Sequence, residues 1–325
     1  MNLSPHAWDP REDPSPWLRA LLPAQRELPL SRLPQQPPEP APGLPPQPQL
    51  PPQPQLPLQP QLPPLLLRLD RQGWPLPALE NSPLLAWLTP EERQQSERLR
   101  RPEDRERHLL GRAGLRRVLG AWRRQEPQRV PLRNGVRGKP FCPGGPQFNV
   151  SHSGDLVLLA LHPHSPVGVD VEQLRPQLDW RPLAARLLCS AECRFLEGLP
   201  APAQTRAFLQ AWCRLEARLK ASGQGLAGLE ALRRRAERAG ALELGPGVER
   251  GARAWAAAGW PHGGAKESGE PAQAGERLGG LGLRAVERLW DVDLPAGYCG
   301  ALACWMGAAE PGVAGRAASR SSGER

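Results

Sequence analysis

Residues 44–64 read LPPQPQ LPPQPQ LPLQPQ LPP, with Leu44, Leu50, Leu56 and Leu62 recurring every six positions. Proline at that density removes the backbone donors that a helix or a sheet ladder needs, and it favours the extended polyproline II form. Residues 34–64 therefore contribute no core. The folded part is expected to start near Leu65, with 1–64 a disordered N-terminal extension. The tract reads as a spacer; a ligand for an SH3-like groove is the alternative.

The remaining length is enough for one large domain or two small ones. With 42 prolines, 33 glycines, 4 Phe and 1 Tyr in 325 residues, much of the chain is not core material. Thr89-Pro90-Glu91-Glu92 carries a helix N-cap, a first-turn proline and a capping-box acid. Pro102 starts a second helix, whose apolar face is Leu109, Leu110, Leu115, Val118 and Leu119. Short strands are predicted over 147–150, 156–162 and 167–171. Helices should then run to about Ala239, including 203–222 with Gly223 as C-cap. Residues 245–282 read as a glycine-rich loop insertion, and 286–292 with 300–306 as a strand pair. Past Gly307 the tail, 307–325, is expected to be disordered. Helices, strands, helices, strands without a strict βαβ repeat point to an α+β fold.

The most strand-like run is VGVDVE, 167–172. A strand alternates its faces, so Asp170 and Glu172 leave the sheet on one side. Two carboxylates that close repel unless a cation or a shared proton lies between them; a solvated face is the plain alternative. Three other stretches bear on the choice. FNVSHSGD, 148–155, runs a strand into a loop offering hydroxyls, the His152 imidazole and a glycine, donors of the kind that hold phosphate. An ordinary polar hairpin would look the same. In WCRLEARLKASGQGL, 212–226, Glu216 and Lys220 are four apart and share a helix face beside Trp212. That spacing fits a surface ion pair or a third carboxylate with a cationic neighbour. RGKP, 137–140, is a basic turn.

The net charge of +9 suggests an anionic partner, though a nucleic-acid module should interleave basic and aromatic residues as this chain does not. No apolar run approaches the roughly 18–20 residues of a membrane span, and MNLSPHAWDPREDP lacks the build of a signal peptide. The six cysteines show no zinc spacing and read as small buried thiols in a reduced, cytoplasmic protein.

GKP, then FNVSHSG, then VGVDVE, then WCRLEARLKASGQGL, in that order, resemble the 4′-phosphopantetheinyl transferases of the larger, surfactin-synthetase-activating type. LWDVDLPAGYCGALAC is similar to that family's C-terminal hairpin. The likeness covers roughly residues 75–306, and the proline tract and 245–282 have no counterpart in it. The resemblance implies two similar α+β subdomains, 65–166 and 167–306, related by a pseudo-two-fold axis with coenzyme A between them. It implies that Asp170, Glu172 and Glu216 bind Mg²⁺ together with the coenzyme A pyrophosphate. Arg107, Lys139, His152 and Lys220 would then contact phosphates, and Ser151 would seat the nucleotide. Glu216 would also be the general base, with Lys220 beside it.

The implied reaction moves 4′-phosphopantetheine from coenzyme A to a serine of an apo acyl or peptidyl carrier protein, by a monomer with no nucleic-acid or membrane partner. One position departs from the family: Leu215 stands where a lysine normally precedes the helical glutamate. Arg214 is basic but lies about 100° further round the helix. A weakened relative that only binds carrier proteins is the reading this departure opens.

Overall fold

A computed structural model describes residues 2–21, 63–135, 137–239, 275–277 and 284–307. The proline tract over 22–62, most of the 245–282 segment and the tail past 307 lie outside the described residues. Two sheets carry the architecture, and both follow one chain order. In the first half, strand β3 (Leu65–Asp70) leads to helix α4 (Pro102–Arg123) and the hairpin β6 (Gln147–Ser153) and β7 (Leu156–His162), with β7 between β3 and β6. In the second half, β8 (Val167–Gln173) leads to α7 (Ala201–Ser222) and the hairpin β10 (Arg284–Val292) and β11 (Tyr298–Gly307), with β11 between β8 and β10. All these pairings are antiparallel. The fold is α+β, as expected.

The sequence cues mark these elements for physical reasons. Thr89 caps helix α3 (Pro90–Glu97) with the full capping box: its hydroxyl accepts from Glu92 N, and the Glu92 carboxylate accepts from Thr89 N. Gly223 ends α7 in the left-handed region, with φ of 66°. Strand β7 is buried along its whole length because both of its faces are covered. Val157, Leu159 and Leu161 pack under α4 with Leu67, Leu69 and Leu110. The alternate set, Leu156, Leu158 and Ala160, meets Val167, Val169, Val171 and Leu302 between the two sheets. A third cluster, built on Phe208, Ala211, Ala301 and Ala303, fills the space between α7 and its sheet.

The N-terminal expectation needs correction. Folding does not begin at Leu65: β1 (Asn2–Leu3) extends the second sheet beside β10, and β2 (His6–Ala7) extends the first beside β3. Trp8 is 5% exposed and Leu18, on helix α1 (Ser15–Leu21), is 4% exposed, both within the first core. Trp17 meets Trp8 edge-on at 6.4 Å, and the Arg11 guanidinium lies 4.6 Å over Trp74. Prolines interrupt this segment into strands of two residues, too short for a periodicity to show. The segment read as a loop insertion also contributes a strand, β9 (Gly275–Arg277), on the edge of β10.

The remaining helices are α2 (Leu76–Glu80), α5 (Arg181–Leu187), α6 (Ser190–Glu197) and α8 (Leu229–Ala239), and a short hairpin pairs β4 (Arg133–Asn134) with β5 (Pro140–Phe141). All six cysteines are free thiols, five of them buried; Cys193 is half-exposed. Among the described residues no helix is long and apolar enough to cross a membrane.

Candidate active site

Strand β8 divides its work between two faces. The valines at 167, 169 and 171 point between the sheets, so Gly168, Asp170 and Glu172 share the face toward α7. At Gly168 the helix comes so close that an added Cβ would sit 2.0 Å from Ala217 O and 2.3 Å from Ala221 N. Only glycine fits there. The next two residues on that face are the acids, and they open into a cleft of about 310 Å³. Ser151 and His152 enter it from β6, and Trp212, Glu216 and Lys220 from α7.

Strands β6 and β8 belong to different sheets, and side chains join them where a backbone ladder is missing. Three alternate residues of β6 reach across. Asn149 Oδ1 accepts from Val169 N at 2.9 Å. Ser151 Oγ donates to Asp170 Oδ1 at 2.9 Å. Ser153 Oγ donates to Glu172 Oε2 at 3.0 Å and accepts from Gln173 N at 3.0 Å. This seam fixes the height of both acids relative to the first sheet. From the opposite side Lys220 Nζ donates to Asp170 Oδ1 at 2.6 Å and to Ser151 Oγ at 3.2 Å, a charge-assisted contact.

Burial raises the Glu216 carboxyl above the usual range; Lys220 opposes that shift, while Asp170 and Glu172 add to it. Burial also pulls the His152 imidazole below its usual value, helped by the Arg107 guanidinium. Arg107 stands outside the cleft lining, donating to Gly154 O at 2.6 Å and pairing with Asp104. Gly154 has φ of 56°, and an added Cβ would lie 2.6 Å from Tyr298 Oη, so the loop after His152 is held tightly. Lys139 is not in the cleft: its ammonium donates to Val167 O and Ala221 O, each at 3.1 Å.

Among the described residues no three His, Cys, Asp or Glu side chains are gathered at ligating distance. Asp170 Oδ1 is engaged by Lys220 and Ser151, and Glu172 Oε2 by Ser153 and by Arg175 at 3.2 Å. Asp170 Oδ2, however, is buried with no hydrogen-bond partner. The Cys213 thiol, which donates to Cys299 O at 3.5 Å, also interacts with the Asp170 carboxylate, but a thiol is a weak donor and brings no positive charge. A buried carboxylate oxygen left unpaired is costly unless a cation meets it. With Glu172 and Glu216 on the same cleft, the donor set is all carboxylate oxygen, which suits Mg²⁺.

The expected site is therefore gathered for Ser151, His152, Asp170, Glu172, Glu216 and Lys220, and not for Arg107 or Lys139. Sequence reasoning missed Asn149, and took the Ser153 hydroxyl only as a possible phosphate donor. A signal existed: Asn149, Ser151 and Ser153 alternate just as Asp170 and Glu172 do, so two strands carry polar faces of matching period.

Leu215 is 1% exposed. It is a core residue of α7 rather than a lost phosphate contact, because the residue beside Glu216 faces about 100° away from it. Leu215→Lys should lower Tm by about 5 °C or more, the mark of an unpaired buried ammonium. Thermal denaturation of that variant is the check; an intact Tm would contradict the packing account.

The two halves also stand apart in comparison with known proteins. A family model described as "4'-phosphopantetheinyl transferase, N-terminal" matches residues 74–164, and one described as "4'-phosphopantetheinyl transferase superfamily" matches residues 166–264. The chain is 38% identical over 152 residues to 4'-phosphopantetheinyl transferase HetI of Nostoc sp., covering 45% of this chain and 64% of that protein. It is 31% identical over 155 residues to 4'-phosphopantetheinyl transferase Sfp of Bacillus subtilis, covering 47% and 67%. With 4'-phosphopantetheinyl transferase AcpT of Salmonella typhimurium it shares 41% over 91 residues, covering 27% and 47%. It thus spans between about half and two thirds of these relatives. The two models meet where β7 hands over to β8, beside the seam that holds the acids, and by this match the chain belongs to the 4′-phosphopantetheinyl transferase superfamily.

Proposed function

We propose that this chain transfers 4′-phosphopantetheine from coenzyme A to a serine hydroxyl of an apo acyl or peptidyl carrier protein, releasing adenosine 3′,5′-bisphosphate. It would do so as a monomer in the cytoplasm. The observation that carries the reading is the convergence of Asp170, Glu216 and Lys220 on one cleft with Ser151 and His152. Asp170, Glu172 and Glu216 would hold Mg²⁺, which when bound polarises the pyrophosphate and neutralises its charge. Lys220 and His152 orient the pyrophosphate oxygens. The Glu216 carboxylate, on the cleft beside Lys220, accepts the serine proton. The serine oxygen bonds to the phosphorus bearing the pantetheine arm, and the bond from that phosphorus to the bridging oxygen breaks. Adenosine 3′,5′-bisphosphate leaves with the bond's electrons.

The test is transfer of a fluorescent coenzyme A analogue to apo carrier proteins. Glu216→Gln keeps the shape and one carbonyl oxygen but loses charge and basicity. It should reduce kcat about 100-fold with a modest loss of coenzyme A binding, the pattern of an interaction made mainly in the transition state. Coenzyme A binding with no transfer by the wild-type chain would leave a carrier-protein binder instead.

A further inference from the structure

The geometry points to Lys139 as a positioning residue that ties the helix bearing Glu216 and Lys220 to the strand bearing Asp170 and Glu172, rather than as a phosphate contact. This rests on the transferase reading of the cleft. The local sequence builds the tie. Hairpin β4–β5 closes through Gly135 N donating to Lys139 O at 2.9 Å, and Gly138 takes φ of 81° at the turn. Lys139 precedes Pro140, which disfavours helical backbone at the lysine and keeps it extended. The side chain then crosses from the first half of the molecule to the second. Its ammonium donates to Val167 O, at the first residue of β8, and to Ala221 O, in the last turn of α7, each at 3.1 Å.

Both acceptors are where they matter. Ala221 O is among the last four carbonyls of its helix, which have no partner within it and attract a cation. Gly168, one residue after Val167, is where the α7 backbone rests on β8. The lysine stem also runs against Gly223, where an added Cβ would lie 3.6 Å from Lys139 Cδ. One ammonium thus clips strand, helix end and hairpin at the closest approach of the two elements. The spacing of Glu216 and Lys220 from the two acids is set there. The ammonium's two carbonyl contacts are part-buried, and that burial pulls the amine down to about 8.

Lys139→Met keeps the stem and removes the ammonium; Lys139→Arg retains a donor and covers the case that the methionine variant fails to fold. The measurements are kcat and KM with coenzyme A and with 3′-dephospho-coenzyme A, and hydrogen exchange at residues 217–223. We expect Lys139→Met to lose about tenfold in kcat on both donors, with KM within twofold and faster exchange at the helix end. Lys139→Arg should recover part of kcat. A tenfold rise in KM for coenzyme A with unchanged exchange, or a KM penalty that vanishes on the dephospho donor, overturns the proposal in favour of a phosphate contact. Unaltered kinetics and exchange overturn it too. If the wild-type chain transfers nothing, the transferase reading falls alone, and exchange decides the tie: faster exchange supports it and unchanged protection overturns it.

Discussion

Asp170→Asn and Glu172→Gln are each expected to cut transfer by about 1000-fold while Tm moves by only a few degrees. The expectation follows from what each amide keeps and loses. An asparagine at 170 still offers Oδ1 to Ser151, whose hydroxyl donates to the carboxylate at 2.9 Å, so the seam survives. It loses the charge that Lys220 pairs with at 2.6 Å, but Lys220 is partly exposed and can turn to solvent. What disappears is an anionic oxygen of the proposed Mg²⁺ site, and an amide is a weak substitute for it. Activity titrated against Mg²⁺ is the check. Near-normal rates at low Mg²⁺ in either variant would refute the shared-cation account. Full recovery at high Mg²⁺ would show that the acids set affinity alone.

Removing residues 1–21 should destabilise the protein by about 5 kcal/mol or more, or leave it insoluble. Replacing 22–62 by a glycine-serine linker of equal length should leave transfer within about twofold. Trp8 and Leu18 are core residues, and truncating a single buried side chain of either size already costs about 2–5 kcal/mol. The deletion would also strip the edges of both sheets, uncovering Asp291–Val292 on β10 and Leu67–Arg68 on β3. Denaturant melts of the two variants compare them directly; equal midpoints would mean the N-terminal strands contribute nothing.

Much of the fold was legible because its long elements obey simple periods. The acid-bearing face of β8, the capped start of α3 and the glycine stop of α7 follow from residues read one turn or one pleat at a time. The N-terminal strands were not, since two residues between prolines carry no period and their partners lie far along the chain. The same limit applies in the site. Glu216 and Lys220 announce a shared face by their spacing, whereas nothing local connects Lys139 with Ala221, 82 positions later. Leu215 is the converse case: its position beside Glu216 suggested a missing contact, and its burial shows a packing residue.

The partnership of β1 with β10 also sets a timetable for synthesis. Leu3 O accepts from Asp293 N at 2.9 Å, and Ser4 Oγ reaches Asp293 across a separation of 289 residues. At about 5–20 residues per second on the ribosome, that separation means roughly 15–60 s between making the two partners. Strand β2 needs only β3 and can dock early, while Asn2 and Leu3 of β1 must wait for β10. The first half can therefore mature during translation, whereas the edge of the second is sealed last, by a segment made 289 residues earlier. A ribosome-stalled chain ending before residue 284 should protect Trp8 from protease while leaving the Asn2–Leu3 stretch open to cleavage.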